Sequence, residues 1–350
     1  FQNWSERDFT LFFDGESYRA RVLSVEERQL VRELTCRSDP PSGMPVSAQG
    51  SFPDWLTPDL EARFGARLLD EMESMNQRAP VDLRVNTLNA DREAALAVLA
   101  ANGIEADIAR FSPLALRLRT RRRITGNDAI KSGLIEVQDE AAQLAALMVD
   151  ARPGQLVADF CAGAGGKTLA LAAMMKNSGL IHAFDVDQNR LKRMEERVER
   201  AGVRNVITKK ALRDGGLDKT ISGSFDRVLV DAPCSGSGTW RRNPETKWWL
   251  TPDALCRHIS RQRHLLQQAG ELVKLGGRLI YATCSVLHRE GRDQIDWFSK
   301  IHPNFSVLSA SKIWLEVLGT PAPMAGDYLE LSPAVHGTDG FFVGILRRDE

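Results

Sequence analysis

Cys234 and Cys284 each stand just past an apolar run. The first lies in Asp231-Ala232-Pro233-Cys234-Ser235-Gly236, after Phe225 to Val230; the second lies in Thr283-Cys284-Ser285, after Leu279 to Ala282. A lone Cys in such a place is ordinarily a small buried hydrophobe. Two of them at two strand ends read as a pair of thiols brought to one crevice. A third apolar run, Val157 to Phe160, leads into Cys161-Ala162-Gly163-Ala164-Gly165-Gly166-Lys167-Thr168. Glycines at a strand-to-helix turn let the backbone approach a ligand closely, and the helix N-terminus offers free N–H donors. Three ligand readings arise. A Walker A loop fails by one position, because Cys161 stands where the pattern needs Gly. A dinucleotide fingerprint is matched only in part, and the third reading is S-adenosylmethionine. Asp185 follows Gly165 by 20 residues, the spacing expected of an acid that binds ribose hydroxyls.

Thiols beside a sulfonium methyl donor suggest one reaction. Carbon 5 of cytosine is too weak a nucleophile to take a methyl group unaided. Addition of a thiolate to carbon 6 makes it enamine-like, and loss of the carbon 5 proton later releases the product by elimination. One cysteine attacks, some group helps remove the proton, and Asp231 is placed to hydrogen-bond the pyrimidine edge. An amino-group methyltransferase would instead show an Asn/Asp-Pro-Pro-aromatic loop where Ala232-Pro233-Cys234 stands.

These residues need a parallel sheet to bring them together, since ligands of open α/β sheets bind beyond the carboxyl ends of the strands. Asp159, Asp185, Asp231, Cys234 and Cys284 are therefore expected to face one crevice. From Asp139 onward apolar runs alternate with helical stripes, as such a sheet requires. Leu180 to Val186, Val203 to Thr208, Phe225 to Val230 and Leu279 to Ala282 read as strands. Leu191, Met194, Val198 and Ala201 form one helical stripe. Thr251-Pro252 caps a helix expected to run to Lys274 and end at Gly276-Gly277. The preceding segment, 76–138, predicts a small α/β module: strands at Val81 to Val85, Leu114 to Leu118 and Leu134 to Val137, and a helix over Asp91 to Ala101. Residues 1–75 predict an acidic helical extension and linker, with 8 Lys/Arg against 14 Asp/Glu and a breaker-rich Asp39 to Pro45.

The whole chain of 350 residues balances 46 Lys+Arg against 46 Asp+Glu and is 43% hydrophobic, which excludes disordered and collagen-like classes. Five Cys with no C-x-x-C fit neither a disulfide framework nor a metal site. The compartment is read as reducing and cytoplasmic. No apolar run approaches the roughly 18 residues of a membrane span, and the start at Phe1, without Met, reads as a trimmed chain rather than a signal peptide.

Asp231-Ala-Pro-Cys-Ser-Gly with Tyr281-Ala-Thr-Cys-Ser-Val, preceded by Cys161 to Thr168, resembles the Nop/Sun family of RNA (cytosine-5) methyltransferases, in particular the bacterial Sun/Fmu (RsmB-like) type. The likeness extends over Leu83 to Thr87, Val137 to Ala141, Trp240 to Trp248 and His336 to Phe342. It implies an α/β fold: a Rossmann-like S-adenosylmethionine-dependent methyltransferase domain over 139–350, with a small N-terminal α/β (RRM-like) module and a helical extension. It implies Cys284 as nucleophile, Cys234 as the residue needed for product release, and Asp231 in contact with both cofactor and base. Asp185 would hold the ribose, and Lys167 would orient Asp231 or the base. The cofactor set comprises Cys161, Ala162, Gly163, Ala164, Gly165, Gly166, Lys167, Asp185, Arg190, Asp214 and Asp231. Two departures stand out. Gly163-Ala164 replaces the usual A-P pair, and Leu212 stands where the family carries an acid near the adenine, leaving Asp214 as the substitute.

The implied substrate is cytosine in RNA, small-subunit ribosomal RNA before transfer RNA, with the chain acting as a monomer. A non-catalytic RNA-binding assembly factor is the rival from another class, and the pair Cys234 and Cys284 speaks against it. Candidate RNA contacts are Arg117, Arg119 and Arg121, within the basic run ending at Arg122-Arg123, and Arg241, Arg242 and Lys247 after the Cys234 loop. Trp248 and Trp249 are candidates for base stacking, with at least one expected in the core. His258, His264 and His288 are read as surface or structural, and Cys36 and Cys256 as inert.

Overall fold

The computed structural model describes residues 13–15, 21–35, 43–124, 126–210 and 221–349. Asp214, Leu212 and Cys36 lie outside them. The chain divides into two units, Phe1–Ser51 and Phe52–Glu350. Among its described residues the first unit carries the helices Val25–Thr35 and Val46–Gly50.

The division at Ser51/Phe52 falls inside the stretch 1–75 read above as extension and linker. Helices Thr57–Phe64 and Leu68–Asn76 belong to the larger unit. Their apolar stripe, including Leu60, Phe64, Leu68, Met72 and Met75, is buried. Glu71, also buried, accepts from the Ser332 hydroxyl at 2.6 Å and the Ala334 amide at 3.0 Å. Burying that carboxylate without such donors would be costly, so the two contacts fix where this helix docks.

The small module contains β1 (Asp82–Val85), β2 (Ala106–Ile108), β3 (Ala115–Leu118) and β4 (Ile135–Val137), ordered β2-β3-β1-β4 with every neighbouring pair antiparallel. Helix Arg92–Ala101 connects β1 to β2, and helix Asp128–Lys131 connects β3 to β4. This is the split βαβ topology of an RRM-like or ferredoxin-like domain. Asp91 caps the first helix by accepting from the Ala94 amide at 2.8 Å. Leu83, Val85, Ala95, Leu99, Leu116 and Ile135 form the core between sheet and helices.

The large sheet contains β5 (Leu156–Phe160), β6 (Leu180–Asp185), β7 (Val206–Lys210), β8 (Phe225–Asp231) and β9 (Val273–Thr283), which are parallel in the order β7-β6-β5-β8-β9. β12 (Phe341–Arg348) adds antiparallel to β9, and β10 (Phe305–Leu308) and β11 (Tyr328–Leu331) share its far edge. Both faces are covered. Helices Glu140–Leu147, Gly166–Met174 and Ala310–Leu318 contribute to one apolar cluster. Helices Pro252–Leu272 and Arg292–Ile301 contribute to the other. The glycine pair expected to end a helix at Gly276-Gly277 lies instead inside β9: the helix stops at Leu272, and Lys274 to Gly277 bulge opposite the single residue Asp226 of β8. Gly276, at φ +73°, supplies the left-handed turn of the bulge.

The carboxyl ends of β5, β6, β8 and β9 are where the chemistry-bearing residues emerge. Pairing of Asp231 with Ala282 sets the Cys234 loop beside the Cys284 turn. The two are tied by Gly238 N–H to Cys284 O (2.9 Å), Ala232 N–H to Ala282 O (2.9 Å) and the Ser237 and Ser285 hydroxyls (2.9 Å). Gly340 in turn donates to Gly238 O at 2.8 Å, bringing in the loop before β12. A Cβ on Gly238 would lie 2.0 Å from Gly340 O. Gly238→Ala is therefore expected to destabilise the fold by about 1–3 kcal/mol, read as a lowered midpoint in thermal or urea unfolding; an unchanged midpoint would refute the close approach.

Candidate active site

The loop after β5 is held from below by its neighbours. Cys161, at φ +75°, occupies the left-handed region that non-glycine residues seldom adopt. Its amide and that of Ala162 both donate to Phe184 O, at 3.0 and 2.9 Å. Gly163 N–H donates to Asp185 Oδ2 at 2.8 Å, and Asp187 N–H donates to Asp185 Oδ1 at 2.8 Å. Each Asp185 oxygen keeps a lone pair for a further donor. Arg197 donates to Ala164 O at 2.6 Å, and Arg84 donates to Gly166 O and Gln138. Gly165, at φ +85°, stands over Met194, whose Cγ would be 2.5 Å from an added Cβ. Its part is to let the loop close on helix Gln188–Arg200, which carries Met194.

Above the loop lies a cavity of about 450 Å³, within the range of small-molecule sites. Cys161, Ala162, Gly163, Ala164, Gly166, Lys167, Asp185, Arg190, Asp231, Cys234 and Cys284 all line it; Gly165 does not. The cavity suits S-adenosylmethionine. A Cβ on Gly163 would meet nothing within 4 Å, so the backbone is open there to a ligand. Asp185 presents a carboxylate to the cavity, and Phe160, Phe184, Val186 and Leu265 give apolar wall. Asp159 departs from the expected convergence. It is fully buried beneath the loop, accepts the Thr168 hydroxyl at 2.6 Å, and is pushed up to about 7 by burial.

The two thiols meet at the cavity, with Cys234 Sγ 3.4 Å from Cys284 Sγ. The Cys284 sulfur first, and burial second, push the Cys234 thiol well above its ordinary range. Lys167 Nζ donates to Asp231 Oδ2 at 2.6 Å and lies 5.0 Å from the centre of the Phe341 ring. That ring belongs to β12, so the C-terminal strand completes the site.

Several lining residues escape a reading by motif. Arg261, His264, Leu265 and Gln268 project into the cavity from helix Pro252–Leu272. Their spacing of three and four is the available signal, and His264, read above as surface or structural, stands with its Nε2 2.8 Å from Gln268 Nε2. Among the described residues no cluster of His, Cys, Asp and Glu could hold a metal ion, and no helix is long and apolar enough to cross a membrane.

The basic residues expected to contact RNA are largely engaged with groups of the fold itself. Arg117 pairs with Asp82 at 2.7 Å and Glu140 at 3.4 Å. Arg241 and Arg242 both pair with Asp139 and Asp339, at 2.5 to 3.4 Å. Lys247 is buried, donates to Asn76 at 2.5 Å, and is lowered by burial. Carboxylates distant in sequence neutralise clusters that look free along the chain. Arg119, exposed, pairs with Asp107 at 2.8 Å, and Arg121 donates to Ala79 O at 2.9 Å. Trp248 and Trp249 are 58% and 71% exposed, against the expectation that one is core.

Comparison with known proteins joins this geometry to a family. The model of "16S rRNA methyltransferase RsmB/F" matches residues 146–347, and that of the "ferredoxin-like domain" of RsmF/B-like methyltransferases matches 52–125. Ribosomal RNA small subunit methyltransferase B of Sodalis glossinidius is 33% identical over 327 residues, 92% of this chain and 67% of that protein. The crystal structure of PH0851 (33% identity, TM-score 0.78) covers 92% of this chain and 72% of its own. That of a methyltransferase homolog protein from Pyrococcus horikoshii (28% identity, TM-score 0.72) covers 89% of this chain and 100% of its own. A family model that spans more than half of the residues, ending on the strand that supplies Phe341, makes this chain a member of the RsmB/F family of 16S ribosomal RNA methyltransferases.

Proposed function

We propose that the chain methylates carbon 5 of a cytosine in small-subunit ribosomal RNA through a covalent adduct between Cys284 and carbon 6. The observation that carries this reading is the pair of sulfurs 3.4 Å apart on one wall of the cofactor cavity. A carrier of RNA alone has no use for two thiols there.

Bound S-adenosylmethionine supplies an electrophilic methyl group; Gly163, Asp185 and Arg190 would hold it. Cys284, as thiolate, adds to carbon 6 and turns carbon 5 into a nucleophile. Asp231, steadied by Lys167, hydrogen-bonds the pyrimidine edge and stabilises the adduct. Release then requires loss of the carbon 5 proton, with the double bond re-forming and Cys284 leaving as thiolate. While Cys284 is an anion, its neighbour Cys234 keeps its proton. Once the Cys284 sulfur is bonded to carbon 6 that charge is gone, and Cys234 can give its proton to water and, as thiolate, serve as the base. The two cysteines thus exchange one proton's worth of charge between attack and release. The target base must leave any stack to reach Cys284, so an unpaired or deformable RNA site is expected.

Cys284→Ala is expected to lower methyl transfer to a 16S ribosomal RNA transcript by roughly 10³-fold or more, and full activity in it would sink the mechanism. Cys234→Ala should instead accumulate a covalent RNA adduct, seen as a shifted band on a denaturing gel; its absence would reverse or void the two roles. Asp185→Ala should weaken S-adenosylmethionine binding by about 10- to 100-fold, the loss of a hydrogen bond to a charged group at ~1.5–3 kcal/mol, measured by calorimetry. Bisulfite sequencing of a deletion strain checks the substrate: a cytosine losing its methyl group only in transfer RNA would overturn the ribosomal reading.

A further inference from the structure

Glu290 lies in the turn His288–Glu290, just past Cys284, and is fully buried. Among the described residues it has no ion-pair partner; three neutral donors hold it instead. Ser235 N–H reaches Oε1 at 2.9 Å, Gln262 Nε2 reaches the same oxygen at 3.0 Å, and the Ser235 hydroxyl donates to Oε2. Gln262, itself fully buried on helix Pro252–Leu272, donates from the same nitrogen to Pro233 O at 3.1 Å. The residues on both sides of Cys234 are therefore gripped, Pro233 by Gln262 and Ser235 by Glu290. The backbone of Glu290 is tied to the other cysteine's strand, since its carbonyl accepts from Tyr281 OH at 2.9 Å and Thr283 Oγ1 at 3.4 Å.

From this we infer that Glu290, with Gln262, is the positioning residue for Cys234: it clamps the Pro233–Ser235 loop to the strand that carries Cys284 and so sets the sulfur-to-sulfur distance on which product release depends. This rests on the reading of Cys234 as the release residue. In that step the C5–H bond breaks, its electrons restore the C5=C6 bond, the C6–S pair returns to Cys284, and the proton passes to Cys234. A base must sit within hydrogen-bond reach of the proton it takes, and a 1 Å misplacement can cost about 100-fold in rate. A buried carboxylate without a cation is costly to maintain, which a packing role alone would not require. After the Cys284 sulfur and burial, the Glu290 charge adds to the upward push on the Cys234 thiol, consistent with a carboxylate fixed at close range.

The test uses the full chain, a 16S ribosomal RNA transcript and methyl-labelled S-adenosylmethionine, with Cys284→Ala and Cys234→Ala alongside. Glu290→Ala is expected to lower kcat about 10- to 100-fold with unchanged S-adenosylmethionine affinity, and to accumulate the same shifted adduct as Cys234→Ala. Glu290→Gln preserves the shape: its oxygen can accept from Ser235 N–H and Gln262, and its amide can donate to the Ser235 hydroxyl. It should restore turnover without adduct. Ser235→Ala, which keeps the Ser235 N–H contact to Glu290 but removes the hydroxyl's contacts to Glu290 and to the Ser237 amide, should show a smaller kcat loss and a fainter adduct, and decides the matter if Glu290→Ala does not fold. Wild-type turnover in Glu290→Ala, loss of turnover without adduct, or a Glu290→Gln variant as impaired as Glu290→Ala would each overturn the positioning role; so would wild-type behaviour of Ser235→Ala where Glu290→Ala fails to fold. Activity in Cys284→Ala would instead mark failure of the underlying mechanism.

Discussion

Two sulfurs carried by residues fifty positions apart are held 3.4 Å from one another, and that separation is a constraint on the whole upper edge of the sheet. Neither cysteine lies on a regular element; each sits in a loop leaving the carboxyl end of a strand. Loops so placed drift unless their backbones are tied, because each additional free dihedral widens the range of side-chain positions. Here the ties are dense. Parallel pairing of β8 with β9 fixes where the loops begin, the Gly238 and Gly340 contacts join them to the approach to β12, and the seryl hydroxyls of Ser237 and Ser285 lock one turn to the other.

The same edge carries a buried ionic cluster. Asp139 caps helix Glu140–Leu147 by accepting from the Ala141 amide, and it meets Arg241, Arg242 and the backbone of Asp339. Three segments converge there: the junction after the small module, the continuation of the Cys234 loop, and the turn that delivers Phe341 beneath Lys167. Burial, with the Asp339 charge adding, pushes the Asp139 carboxyl up to about 6. Two carboxylates in so dry a place are tolerable only because two guanidiniums share them, which is why the cluster has cations that a reader of the chain would assign elsewhere.

That assignment marks what the sequence discloses and what it hides. The cofactor loop, Asp185, the parallel strand succession and both cysteine motifs were legible because each is local: a glycine-rich turn after an apolar run carries its own geometry. The partners of Arg117, Arg241 and Arg242 were not, because Asp82, Asp139 and Asp339 are brought to them only by tertiary folding. β2, short and exposed, has too weak an apolar pattern to register, and the Gly276 bulge mimics a helix stop. Gln262 and Glu290 belong to no local motif; burial, not type, is what distinguishes them.

The distribution of charge also explains how a chain with 46 Lys+Arg and 46 Asp+Glu can serve an anionic substrate class. Four of the six cations singled out for RNA are engaged with carboxylates or an amide of the fold itself, contacts that shape the site. What faces the cavity is mixed: a lysine already bonded to Asp231, an acid meeting two amides, the arginines Arg190 and Arg261, and two touching thiols, of which Cys234 is pushed up by its neighbour's sulfur and by burial. On the function proposed above, a pyrimidine that accepts a thiolate at one carbon and gives up a proton at its neighbour would engage the two thiols together with the acid and the lysine beside them.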